Sequence, residues 1–395
     1  MKIKIEKQAT VPDPIKLERY RRTPDLGPGI LFFSGGTALR DVSEELTQYT
    51  YNSIHIITPF DSGGSSATIR KQFSMLAVGD IRNRLMALAD KSILGNPEIF
   101  ELFAYRLPKD MNKEELRAEL ELLASGRHRL TCTITAPMRK IIRNHFLEFI
   151  SIMGDFDLRG ASIGNIILTA GYLTNRRHLD PVIYIFSKLV EVRGIVRPTI
   201  NKDMHLAAEL EDGNIIVGQH LLTGKETGPI KSPIKKMWLA KTLSDPKPCM
   251  VEIRNKLKEL IKSAEIICYP LGSFYSSVIA NLLPKGVGTA VSQNGCPKIY
   301  IPNTGNDPEL KGLSLKNQIT RLLYYLKKDN PEKIRAKDVL NFVLLDSENG
   351  IYPGGVNKEE IEIDGIRVID CRLITKDSSP YIDSTLLAHA LLSLT

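Results

Sequence analysis

Cysteine is scarce in this chain of 395 residues, and the five present (Cys132, Cys249, Cys268, Cys296, Cys371) are odd in number and widely spaced. No pair has the interval of a zinc site or a redox motif, so a disulfide-stapled fold and a structural metal centre are set aside and a reducing compartment fits. Long apolar runs are also absent. Nothing approaches the ~18 residues of a membrane-spanning helix, and residues 1–9 alternate Lys with Ile instead of forming a leader's apolar stretch. The expectation is a cytoplasmic protein with no signal peptide and no membrane partner. Two basic concentrations, at 16–22 and 139–143, lack the interleaved exposed aromatics of a base-stacking platform. None of the seven histidines stands beside an evident nucleophile, which leaves a serine or cysteine hydrolase with little support.

What is there describes an ordinary folded chain, 43% hydrophobic and 25% charged, long enough to bury a full core. A net charge of +8 favours anionic partners without separating nucleotide from nucleic acid. Residues 1–26 mix Lys, Glu, Pro and Arg without periodicity and read as an N-terminal tail. Beyond them, short apolar runs at 29–33, 53–58, 265–269, 298–301, 341–346 and 366–370 alternate with segments of helical spacing at 38–49, 79–90, 252–264 and 315–326. Strands apolar on both faces and alternating with helices predict an α/β fold: a Rossmann-like, doubly wound, mostly parallel sheet with helices on both faces. Asp212-Gly213 between two apolar runs predicts a hairpin. Residues 110–153 interrupt the rhythm with two helical stripes, the first opened by Asn112 with Glu115 in its first turn. They read as a helical insertion, serving as a dimer surface or a lid, within a single domain spanning 27–395.

Two glycine-rich loops carry most of the chemical information: Ser34-Gly35-Gly36-Thr37 after the first apolar run, and Asp61-Ser62-Gly63-Gly64-Ser65-Ser66 after the second. Each opens a helical segment, which aims backbone N–H groups and a positive helix terminus at whatever binds there, a geometry suited to phosphate. Further small-polar loops at 270–277 and 302–307 fall on the same carboxyl edge of a parallel sheet, where ligands bind in open α/β folds. The first loop fails the dinucleotide fingerprint, because Ala38 and Leu39 stand where a third spaced glycine is needed. Gly224-Lys225 fails as a phosphate-binding loop, with Glu226 in place of Ser or Thr. Asp61 suits magnesium beside a phosphate cradle, against the plainer reading that it caps the following helix or pairs with Arg70. Arg82 and Asn83 fall off the apolar face of their helix and can reach the crevice.

Together the loops resemble the CofD/YvcK family over nearly all of residues 28–394. The matching elements are Ser34-Gly35-Gly36-Thr37, Asp61–Ser66, the stretch Gly79-Asp80-Ile81-Arg82-Asn83, Gly164-Asn165-Ile166-Ile167-Leu168, Gly272-Ser273-Phe274-Tyr275-Ser276 and, more loosely, 299–307. One branch of that family, the phospholactate transferases, moves a phosphorylated hydroxyacid from a guanosine diphosphate-linked donor with magnesium. The other, typified by YvcK, binds uridine diphosphate sugars and regulates carbon flow. The loop motifs look closer to the second branch. Ser62 stands in place of the second aspartate of an acidic pair, Ala38 replaces a glycine, and Ala161 stands where histidine is common. These departures resemble a divergent branch such as the CofD-like proteins of the GAK system.

The resemblance implies a nucleoside diphosphate or nucleotide-sugar ligand held by Gly35, Gly36, Thr37, Gly63, Gly64, Ser65, Ser66, Asn83, Asn165, Gly272, Ser273 and Tyr275, with Tyr275 stacking on base or sugar. In a transferase Asp61 would be the catalytic and magnesium-binding residue. The alternative is a non-catalytic sensor of a uridine diphosphate sugar, and nucleic-acid binding ranks last. A homodimer is expected.

Overall fold

The computed structural model describes residues 8–92, 94–224 and 228–395. Ten strands form two sheets: β1 (Ile30–Ser34), β2 (Ile54–Ile57), β3 (Ile195–Pro198), β4 (His205–Leu210), β5 (Ile215–Val217), β6 (Ile234–Ala240), β7 (Ile266–Tyr269), β8 (Lys298–Tyr300), β9 (Phe342–Leu345) and β10 (Arg367–Asp370). The main sheet has the order β10-β9-β8-β7-β1-β2-β3, and every pairing in it is parallel. From β1 the chain first builds outward through β2 and β3, then returns beside β1 as β7 and builds the other way. The boundary between β1 and β7 is therefore a topological switch point, where loops diverge to opposite faces and leave a crevice.

Both faces of the sheet are covered, as the doubly apolar strands require. Ile30 and Phe32 of β1 join a cluster with Val42, Leu46 and the C-terminal helix Ser384–Ser393, whereas Leu31 and Phe33 join the larger cluster on the opposite face with Ile261 and Ile279. That alternation is the period-two consequence of a strand buried on two sides.

The insertion shares the core. Asn112 and Glu115 cap the helix Lys113–Ser125 reciprocally, at 2.9 and 3.0 Å. Its Leu116, Leu120 and Leu123 pack in one cluster with Phe146 and Phe149 of the helix Ala136–Ile152, with the helix Ile163–Thr174, and with Ile57 and Val196 of the sheet.

Three sequence expectations change. Residues 14–22 are not tail but a helix, capped by Asp13 and docked on the C-terminal helix through Leu17; its stability comes from tertiary contact, which weak local periodicity does not reveal. β3 was not anticipated, because Ile195-Val196-Arg197-Pro198 is a four-residue edge strand with a half-polar pattern. β6 lacks clean alternation, yet it pairs antiparallel with β4, opposite the β4–β5 hairpin turned at Gly213 with φ +86°.

Candidate functional site

A cleft of about 360 Å³ opens at the carboxyl edge of β1, β2 and β7. Its walls are residues 34–39 after β1; Asp61, Gly63, Gly64, Ser65 and Ser66 after β2; Gly79, Asp80, Arg82 and Asn83 of the helix Gly79–Ala87; and Leu271, Gly272, Ser273 and Ser277 after β7. Arg106, Asn165, Gln219, His220 and Thr223 complete it. Of the thirteen residues singled out in the sequence, the fold brings twelve to this one cleft; Tyr275 is the exception.

The Tyr275 ring is fully buried on the other side of its loop, where its hydroxyl donates to the Ile234 carbonyl at 3.2 Å. Burial pushes that hydroxyl's pKa up to about 12. The side chain leads into the core beneath β6, which corrects the stacking expectation. The loop at 302–307 also stays out of the cleft. Asp307 Oδ2 instead accepts from Phe274 N at 2.8 Å, and Glu309 Oε2 accepts from Tyr275 N and Ser276 N at 2.9 and 2.8 Å. The chain's own carboxylates thus occupy the helix opening after β7 that resembled an anion site.

The two glycine loops differ. The helix Gly64–Phe73 starts at Gly63 without a cap from that residue's side chain, and Ser65 and Ser66 of its first turn line the cleft. Gly64 takes φ +47° with open space around it, the left-handed conformation that glycine adopts without strain. At Gly35 the constraint is space: an added Cβ would sit 2.6 Å from Ser277 Oγ and 3.0 Å from Thr58 Oγ1. Behind this loop lies Arg84, fully buried, donating to the carbonyls of Leu39 at 2.8 Å and Gly35 at 3.4 Å and to Ser43 Oγ. Burial lowers its pKa to about 10, so it stays charged at neutral pH.

Asp61 Oδ1 accepts from Gly63 N at 3.1 Å. Arg70 does not pair with the Asp61 carboxylate; its guanidinium meets Asp203 at 2.6 Å and donates to the carbonyls of Phe60, Asp61 and Met204. Asp80, which the sequence presents as an ordinary helix-opening residue, lines the same cleft. Magnesium usually takes one or two carboxylates and completes its shell with water and phosphate oxygens. Asp61 and Asp80 fit that requirement only in company with a ligand, since among the described residues no group of three or more His, Cys, Asp or Glu could hold a metal.

Four side chains on the cleft wall hold buried polar atoms without a hydrogen-bond partner among the described residues: both amide atoms of Asn165, Arg82 Nε, Ser34 Oγ and Gln219 Oε1. Asn165 is 1% exposed. Each such atom costs roughly 1–3 kcal/mol when left unpaired, so this cleft has polar groups available to an outside molecule. Burial lowers the Arg82 pKa to about 10, with the neighbouring Arg106 acting in the same direction.

Sequence reasoning missed His220. Its Nδ1 lies 2.8 Å from Ser62 Oγ, across 158 positions of sequence, a serine contact that the reading of the histidines did not foresee. No local spacing could have signalled it. The rejected Gly224-Lys225 motif runs into residues 225–227, outside the described residues.

The sequence profile of the family described as 2-phospho-L-lactate transferase CofD matches residues 30–378. A putative gluconeogenesis factor of Nostoc sp. is 28% identical over 366 residues, covering 90% of this chain and 66% of that protein. The gluconeogenesis factor of Bacillus subtilis is 29% identical over 282 residues, covering 71% and 69%. The gluconeogenesis factor of Listeria monocytogenes is 28% identical over 278 residues, covering 70% and 66%. The matched region thus spans just under two thirds of the cyanobacterial and listerial proteins. A crystal structure of a UPF0052 family member from Bacillus halodurans shares the fold, with a TM-score of 0.66 at 23% identity, covering 93% of this chain and 99% of that one. Among the described residues no helix is long and apolar enough to cross a membrane.

Proposed function

This chain belongs to the CofD family, and from that premise we propose that its cleft binds a nucleoside diphosphate or a nucleotide sugar. The observation that carries the reading is the set of unpartnered buried polar atoms on Asn165, Arg82, Ser34 and Gln219, lining one cleft with two glycine loops beside the sheet's switch point. Backbone donors at 35–37 and 65–66 suit the diphosphate. Asn165, with an amide donor and acceptor both free, suits the edge of a base or a sugar hydroxyl.

Two uses of that ligand follow. In a transferase, Asp61 and Asp80 would hold magnesium, whose charge would stabilise the phosphoryl oxygens, while the loop amides and Arg82 neutralise and orient the group being moved. In a sensor, the same contacts would bind without turnover; the curated relatives named gluconeogenesis factors favour this use. A cytoplasmic setting and a homodimer belong to the same proposal.

A ligand that binds only the folded state raises the melting temperature by mass action. Guanosine and uridine diphosphates and their sugar conjugates, at millimolar concentration with magnesium, should each be scanned. A rise with one base series names the ligand class, and no shift with any of them defeats the reading. Release of a mononucleotide with magnesium separates transferase from sensor.

A further inference from the structure

We infer that Ser62 and His220 form a phosphoryl-binding pair, in which the imidazole Nε2–H donates to an anionic oxygen of the ligand. The inference rests on the diphosphate reading of the cleft and adds to it a side-chain donor that neither glycine loop supplies.

Hydrogen bonding admits the proton arrangement the pair needs. His220 N donates to Ser62 Oγ at 3.2 Å, and the same oxygen lies 2.8 Å from His220 Nδ1. A serine hydroxyl has one proton to give and two lone pairs to accept with, so it can take the backbone N–H and still donate to Nδ1. In that tautomer the ring carries its own proton on Nε2; in the other, Nδ1–H donates to Oγ and Nε2 has none to give.

Packing holds the ring in that orientation. Gly218, at φ +117°, lies under the imidazole so closely that an added Cβ would meet Cε1 at 2.7 Å and Nδ1 at 2.9 Å. Ser62 is 8% exposed and anchored in the loop after β2, so the ring is clamped between that loop and the Gly218 backbone. Nε2 has no partner among the described residues, and His220 lines the same cleft as residues 63–66. A fixed N–H donor in the same cleft as the glycine-loop backbone suits an oxyanion and gives an uncharged group no comparable partner.

The plainer role for the pair is a tie between the loop and residues 219–223. Calorimetric titration of the full chain separates the two, using uridine and guanosine, their diphosphates, and inorganic pyrophosphate. His220→Phe keeps a flat ring over Gly218 without the donor, and His220→Gln returns an N–H near the Nε2 position. Loss of a charge-assisted hydrogen bond should weaken diphosphate and pyrophosphate binding roughly ten- to a hundredfold in the Phe variant, leave nucleoside affinity unchanged, and be largely restored in the Gln variant. Ser62→Ala should weaken the charged ligands by a smaller factor, because the ring loses its tautomer and its anchor. Nitrogen NMR of the free protein should show Nε2 protonated and Nδ1 as acceptor. Melting temperatures that drop in all variants with unchanged diphosphate affinity would make the pair a structural tie and overturn the inference, as would an Nδ1 proton. Wild-type protein that binds pyrophosphate but no nucleotide would defeat the nucleotide reading while leaving this pair in place, and failure to bind any of these anions defeats both.

Discussion

Asp61 and Tyr275 look equally chemical in sequence, and the fold treats them differently. Asp61 stays on the cleft wall with one oxygen engaged by Gly63 N. Asp61→Asn keeps the shape and the accepting oxygen while removing the charge magnesium needs. If magnesium bridges Asp61 and the ligand, the variant should lose the magnesium-dependent part of nucleotide affinity while affinity without metal holds or rises. Titration with and without magnesium checks this, and identical metal dependence in both proteins would remove Asp61 from the site. Tyr275 calls for the opposite outcome. Tyr275→Phe loses one buried hydrogen bond, about 1 kcal/mol of stability, and Tyr275→Ala opens a cavity costing roughly 3–5 kcal/mol. Neither should change ligand affinity; denaturant midpoints beside binding titrations test this. An aromatic before a helix in a ligand-side loop reads the same in sequence whether it faces ligand or core, because the direction of one side chain depends on what packs around it.

At the scale of elements, the two helix openings after β2 and β7 look alike in sequence, each rich in Gly and Ser. The first brings Ser65 and Ser66 of its opening turn to the cleft wall, while the second is satisfied internally by Asp307 and Glu309, whose chain segment arrives only after β8. Glu309 is fully buried, and burial raises its pKa above the ordinary 4.5, with the nearby Asp307 adding to the rise. The folded state thus holds the Glu309 proton more tightly than the unfolded chain does. Its contribution to stability is complete below pH 4.5 and is lost as pH rises from there through the raised folded value. Urea midpoints of the wild type should include this loss over that window, and Glu309→Gln should flatten it. Equal slopes in both proteins would show that Glu309 does not titrate there. The six apolar runs read as strands all became strands, five because they are buried on both faces and β10 as a half-exposed edge paired with β9; β3 and β6 escaped notice because edge position and pairing, not their own composition, make them strands.

Over the whole molecule, the first described helix meets the last. Lys16 Nζ donates to the Ser393 and Thr395 carbonyls at 2.9 and 2.5 Å, Asp13 N donates to Ser393 Oγ, and Leu17 enters the cluster of the C-terminal helix. Removing residues 1–22 should lower the melting temperature by a few degrees, through the loss of roughly 2 kcal/mol of apolar burial, and leave ligand affinity unchanged. A scanning-calorimetry trace with no shift would return the segment to the status of a tail. The alternation of strand and helix, the parallel sheet and the two glycine loops were determined by the sequence alone, because period, burial on two faces and the backbone freedom of glycine are local properties. What only the tertiary structure decided is which groups meet. The return of the chain to lay β7 beside β1 creates the crevice. It brings Asn165 and Arg82 to the crevice without partners, turns Tyr275 away from it, and sets His220 against Ser62. Those encounters join residues from 41 to more than 200 positions apart, and no local pattern encodes a distance across the fold.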